Sequence, residues 1–164
     1  MTKAVIFDLD GTLVDLPIDY DKLFKDFGKL LKTADVRPVT KTISRLDEKT
    51  KNEVFKCWEK IELEALLKMT LKIEGLELVK QYSGKKKALV TMQGKILAQN
   101  ALKRLGISFD SIVTRENSLD RAEQLKIAAQ QLKTPIKDVL FIGNTEEDSQ
   151  AAKKIGCEFL RVKT

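Results

Sequence analysis

Short apolar runs alternate along this chain with longer segments in which apolar residues return every three or four positions. The runs at Ala4–Asp8, Ala88–Thr91, Ser111–Thr114, Val139–Ile142 and Glu158–Val162 have the length and content of buried strands. Between them, Ile96, Leu97, Ala101, Leu102 and Leu105 mark one helix, which Gly106 stops. Leu119, Ala122, Leu125, Ala129 and Leu132 mark another, which ends near Thr134-Pro135. Strand–helix–strand alternation predicts an α/β fold, a parallel sheet with helices on both faces. Sites in such sheets lie beyond the carboxyl ends of the strands.

Residues 15–74 break this rhythm. Phe24, Phe27, Leu30, Leu31, Ile43, Leu46, Phe55, Trp58, Ile61, Leu66 and Leu67 recur at mostly helical spacing, with a break at Arg37-Pro38. No strand is predicted there. The expectation is a core built from residues 1–14 and 75–164, interrupted by a helical insertion over 15–74. Its aromatics Phe24, Phe55 and Trp58 belong to a core or line a pocket.

The chain has 164 residues, 43% hydrophobic and 33% charged, which suits one globular unit with a sizeable core. No apolar run approaches the roughly 20 residues of a membrane span. Met1-Thr2-Lys3 leads directly into the first strand, so no signal peptide is expected. With no histidine, and with Cys57 and Cys157 far apart, neither a zinc site nor a histidine-based triad is expected. A reduced, cytoplasmic setting and a monomer or small homo-oligomer are expected. The net charge of +6 is spread over many lysines. Its densest run, Lys85-Lys86-Lys87, lacks interleaved aromatics and reads as a solvated turn rather than a nucleic-acid surface.

The chemistry collects at the strand ends. In "VIFDLDGTLVD", residues 5–15, Asp8 and Asp10 close the first apolar run. As strand positions i and i+2 they would share a face roughly 7 Å apart. Crowding two carboxylates beside apolar walls is costly without a compensating charge. The second run ends "LVTMQGK", placing the Thr91 hydroxyl before a helix start that suits an anion. After the third, "RENSLDRAEQL" opens a helix with Ser118 as candidate cap and Arg121 in the first turn, where a cation opposes the helix dipole unless an anion lies near. Lys126 is a second candidate cation on that segment. The fourth ends "LFIGNTEEDSQAA". Asn144 serves there either as a helix cap, with Glu147 three residues on, or as an oxygen ligand. Carboxylates with neutral oxygens suit Mg²⁺, and a phosphate bridging metal, Thr91 and Arg121 would complete the charge balance.

In this order the motifs resemble those of haloacid dehalogenase superfamily phosphatases with a small helical cap, in particular phosphoglycolate phosphatase-like members. "DLDGT" at 8–12 is similar to the first motif, and the likeness covers residues 3–14 and about 75–163. The resemblance implies a Rossmann-like core. It implies Asp8 as the nucleophile that forms an aspartyl-phosphate and Asp10 as the general acid–base. It implies phosphate contacts from Leu9, Thr91, Met92 and Arg121. It further implies Mg²⁺ held by Asp8, the Asp10 carbonyl and Asn144, with Asp148 as the supporting acid. The expected substrate is a small phosphorylated metabolite, hydrolysed as a phosphomonoester. One position departs: where the family has Gly-Asp, this chain has Gly143-Asn144. The alternative is therefore a weakly active or non-catalytic phosphate-binding protein on the same fold.

Overall fold

The computed structural model describes residues 1–163. Its centre is a five-stranded parallel sheet in the order β5–β4–β1–β6–β7. The strands are β1 (Ala4–Asp8), β4 (Lys86–Val90), β5 (Ser111–Val113), β6 (Val139–Gly143) and β7 (Glu158–Arg161). All five predicted runs are strands, each within two residues of its expected ends. Alternation within β1 divides the core. Val5 and Phe7 face the cluster that includes Leu89, Leu97 and Ile142; Ala4 and Ile6 face Val90, Leu125, Ala128, Phe141 and Ala152. Helices α4 (Ile73–Gln81) and α5 (Lys95–Leu105) contribute to the first face, and α6 (Arg121–Gln131) and α7 (Glu146–Ile155) to the second. Gly106 ends α5 in the left-handed conformation, φ +66°, as its position predicts.

Three helices rise from the loop after β1: α1 (Tyr20–Leu31), α2 (Val39–Ser44) and α3 (Glu48–Leu66). Phe27 of α1 meets Trp58 of α3 edge to face, ring centroids 5.8 Å apart. At their stem the structure adds a two-residue antiparallel ladder. Strand β2 (Val14–Asp15) pairs with β3 (Thr70–Leu71), and the Lys72 N–H donates to the Leu13 carbonyl. Two-residue strands are too short to show a period of two, so nothing in the pattern announces them. Gly75 fits α4 against the same loop, because a Cβ there would collide with the Thr12 carbonyl. The ladder thus ties both ends of the helical region to the turn that carries Asp10.

Candidate active site

The ends of β1, β4 and β6 and the starts of α6 and α7 surround a pocket of about 650 Å³. Asp8, Asp10, Thr91, Met92, Arg121, Asn144 and Asp148 all line it; from the helical cap come Tyr20 and Thr40. The sequence separates these residues by up to 140 positions, and parallel strand order alone brings them to one edge. Leu9 is the exception among the expected residues. Its side chain is fully buried in the core, while its backbone N–H lies beside the Asp8 carboxylate and favours the ionised form.

Asp8 is the last residue of β1, but Asp10 is not on the strand. The chain turns at Gly11, φ +82°, and Asp10 makes an isolated bridge with Val14. A Cβ at Gly11 would collide with the Asn144 amide. That turn, rather than strand alternation, delivers both acids to the pocket. One oxygen of Asp10 accepts the Leu16 N–H at 2.9 Å. Burial raises its pKa above the ordinary carboxylate value, partly opposed by that bond.

Arg121 organises the centre. Its Nη2 lies 3.1 Å from Asp8 Oδ1, its Nε 3.0 Å from Asp148 Oδ1, and its Nη1 donates to Gln124 Oε1 at 2.9 Å. Gln124 Nε2 donates onward to the Thr91 and Ser118 carbonyls. The first-turn arginine therefore has its anions: two carboxylates share one guanidinium. That leaves one uncompensated negative charge among Asp8, Asp148 and Arg121. Burial is the first cause that pushes the Asp8 pKa up to about 7; the Arg121 charge opposes it, and Asp148 and Asp10 add to it.

The caps differ from expectation. Asp120, not Ser118, caps α6, its side chain accepting the Glu123 N–H. Thr145, not Asn144, caps α7, in a capping box with Asp148, so the expected Asn144–Glu147 box is shifted by one residue. Asn144 donates its backbone N–H to Asp148 Oδ2 at 3.2 Å, which leaves its amide side chain to the pocket. There the Thr12 hydroxyl lies 3.4 Å from both Asp8 Oδ2 and Asn144 Oδ1. The Asp10 carbonyl has no hydrogen-bond donor among the described residues. An anionic oxygen and two neutral ones beside an excess negative charge fit a hard divalent cation such as Mg²⁺, which binds through few protein groups. Among the described residues no three His, Cys, Asp or Glu side chains are placed to hold a metal ion by themselves, so neutral oxygens would have to complete the set.

The loop after β4 presents the other half. Thr91 Oγ1 accepts the Gln93 N–H at 3.1 Å, which leaves its hydroxyl hydrogen to donate. The Met92 N–H has no acceptor among the described residues. Tyr20 sits on the cap side of the pocket, its phenol pushed up to about 12 by burial and by the Asp10 and Glu62 charges. Sequence reasoning misses Tyr20, Thr12, Gln93 and Gln124. Thr12 leaves a signal as the last residue of the DLDGT motif, and Gln124 leaves one at i+3 from Arg121 on one helix face. The aromatics Phe24, Phe55 and Trp58 do not line this pocket. Trp58 is buried in the core, with Phe24 and Phe55 packed partly buried against it. No helix among the described residues is long and apolar enough to cross a membrane.

Comparisons with known proteins bear on the family and the fold. A protein of Clostridium perfringens, provisionally named pyrophosphatase PpaX, is 28% identical over 99% of this chain and 85% of its own length. A haloacid dehalogenase-like hydrolase from Streptococcus pneumoniae superposes with a TM-score of 0.71 at 22% identity, covering 98% of this chain and 84% of that one. A Lactobacillus plantarum protein provisionally named phosphoglycolate phosphatase superposes with a TM-score of 0.69 at 17% identity, covering 97% and 86%. The family model described as haloacid dehalogenase-like hydrolase matches residues 5–162, nearly the whole chain, and the protein belongs to that family.

Proposed function

We propose that this hydrolase is a Mg²⁺-dependent phosphatase that cleaves a small phosphorylated metabolite through an aspartyl-phosphate on Asp8. The observation that carries the reading is the setting of Asp8. Its carboxylate stands at the pocket floor between the Thr12 hydroxyl and the Arg121 guanidinium, in the same pocket as the Thr91 hydroxyl and the Met92 N–H. A phosphoryl group placed there meets a nucleophile and three kinds of donor together. Asp8 attacks phosphorus, and the departing oxygen takes a proton from Asp10. Asp10, its other oxygen held by Leu16, then removes a proton from water, which attacks phosphorus and releases phosphate from Asp8. The raised pKa of Asp10 suits the first of these transfers. Asp8, the Asp10 carbonyl and Asn144 would hold Mg²⁺. The ion, when bound, would screen the carboxylate from the phosphoryl oxygens it must approach.

Asn144 supports a second reading, of weak or absent catalysis with phosphate binding retained, because the amide brings no charge to the cation. One experiment separates the two. Release of p-nitrophenol from its phosphate ester is measured with and without Mg²⁺, followed by a panel of small phosphometabolites. Metal-dependent turnover is expected. Phosphate binding without turnover overturns catalysis and leaves the second reading.

A further inference from the structure

A second buried carboxylate–guanidinium pair lies outside the pocket and has no part in the chemistry above. Glu62, on cap helix α3, and Arg115, in the loop after β5, meet at 2.7 Å with side chains 0% and 1% exposed. Arg115 also donates to the Phe55 carbonyl at 3.3 Å. Its guanidinium carbon lies 4.3 Å from the Trp58 ring centroid and 5.2 Å from that of Phe55. The cap thus grips a core arginine with a carboxylate, a carbonyl and two aromatic rings.

The grip extends into the loop that carries Thr91 and Met92. Both Glu62 oxygens accept the Gly94 N–H, at 3.3 and 3.2 Å, and Gly94 is the N-cap of α5. The Arg115 N–H donates to the Gln93 carbonyl at 3.3 Å. A Cβ on Gly94 would lie 2.9 Å from Arg115 and 3.1 Å from Glu62, so the pair is seated directly on this backbone. The loop is held by Thr91 and Gln124 on one side and by the pair on the other. A cap carboxylate that bonds the end of a core loop sets that loop only while the cap is in place.

We propose that Glu62 and Arg115 are positioning residues that make the phosphate-binding form of the 91–94 loop depend on the seated cap. This rests on the phosphatase reading for the catalytic consequence, but not for the coupling itself. If the pair were merely structural, replacing both members with apolar residues would restore everything, since a buried ion pair exchanged for packed hydrophobic side chains is often neutral or stabilising. If the pair positions the loop, that exchange restores stability and leaves the Gly94 N–H without its acceptor.

The test compares wild type, Glu62→Gln and the double variant Glu62→Leu/Arg115→Met. Glu62→Gln keeps an acceptor for Gly94 and is expected to retain slow hydrogen exchange there and most of the activity. The double variant is expected to melt near wild type, to lose exchange protection at Gly94, and to fall in kcat/KM for p-nitrophenyl phosphate by about 10- to 100-fold, the scale of a displaced constellation. A double variant with wild-type kcat/KM and inorganic-phosphate affinity overturns the proposal.

A measurement on the unaltered protein covers the case in which the double variant does not fold. Trp58, the only tryptophan, stacks on Arg115 outside the pocket. Inorganic phosphate with Mg²⁺ should shift its indole N–H resonance, because coupling between sites is reciprocal. Bound phosphate with an unmoved Trp58 signal overturns the coupling. Absent turnover together with a shifted Trp58 signal overturns the phosphatase reading alone.

Discussion

Two buried carboxylate–guanidinium pairs in this molecule look alike and behave differently. At the cap junction one arginine meets one glutamate, sealed by aromatic rings. At the strand ends one arginine serves two aspartates beside a third, in a pocket open to ligands. The first is balanced in charge. The second holds more carboxylates than guanidinium, and burial first, with Asp148 and Asp10 adding to it against Arg121, pushes the Asp8 pKa up to about 7. Burial raises the Glu62 pKa as well, with Arg115 as the principal opposing charge. A balanced pair holds parts of the fold together. On the proposed function, the unbalanced cluster would take up a cation and use its carboxylates.

The comparison breaks most sharply at Asp8. Asp8→Asn should reduce hydrolysis of p-nitrophenyl phosphate to background while the circular dichroism spectrum is retained, because an amide does not attack phosphorus. Clear residual turnover in a homogeneous sample removes Asp8 as the nucleophile. Asp10→Asn should slow hydrolysis of alkyl phosphates by roughly 10²–10⁴, the usual contribution of a general acid–base. The loss should be smaller for aryl esters, whose leaving groups depart without a proton; an equal loss for both classes contradicts the role.

Stability separates the two pairs next. Asp8 has its folded pKa raised from 3.8 to about 7, so its contribution to stability is complete below about pH 4 and is lost as pH rises through 7. In metal-free buffer, Asp8→Asn should therefore gain up to about 4 kcal/mol over wild type at pH 8, and the gain should vanish toward pH 4. Added Mg²⁺ should narrow it by stabilising wild type. Denaturant titrations at the two pH values decide this, and a gain independent of pH contradicts the raised Asp8 pKa. Arg115→Met should cost about 3–5 kcal/mol, because it strands Glu62 in a sealed site. Arg121→Met should cost less, since Asp8 and Asp148, though buried, line the pocket that the lost guanidinium would open to water, but it should weaken phosphate capture. Equal melting penalties would erase the distinction between the pairs.

The smallest expected effect sharpens the reading of Asn144. Asn144→Asp supplies the missing charge and should lower the Mg²⁺ concentration for half-maximal activity. Superimposable Mg²⁺ titrations of the two forms remove Asn144 from the cation site.

Much of this molecule was legible from local pattern. Apolar runs mark strands because both faces of a parallel sheet are buried, so Ala4–Asp8 and Val139–Gly143 announce themselves without neighbours. Gly106 predicts a helix end because few other residues accept a positive φ. Asp8, Asp10, Thr91 and Arg121 were legible because each lies at or beyond the carboxyl end of a strand, and strand ends converge in any parallel sheet. Tertiary structure alone decided the rest. Whether Asn144 or Thr145 caps α7 depends on one residue of register, which Asp148 settles by bonding both backbone N–H groups. That Arg121 would hold Asp8 and Asp148 together requires β1 and β6 to be neighbours with α6 and α7 packed on one face. Glu62 and Arg115 stand 53 residues apart, with no periodicity or motif linking them. Only the folding of the cap onto the core makes their charges partners, because attraction between side chains depends on distance in space and not along the chain.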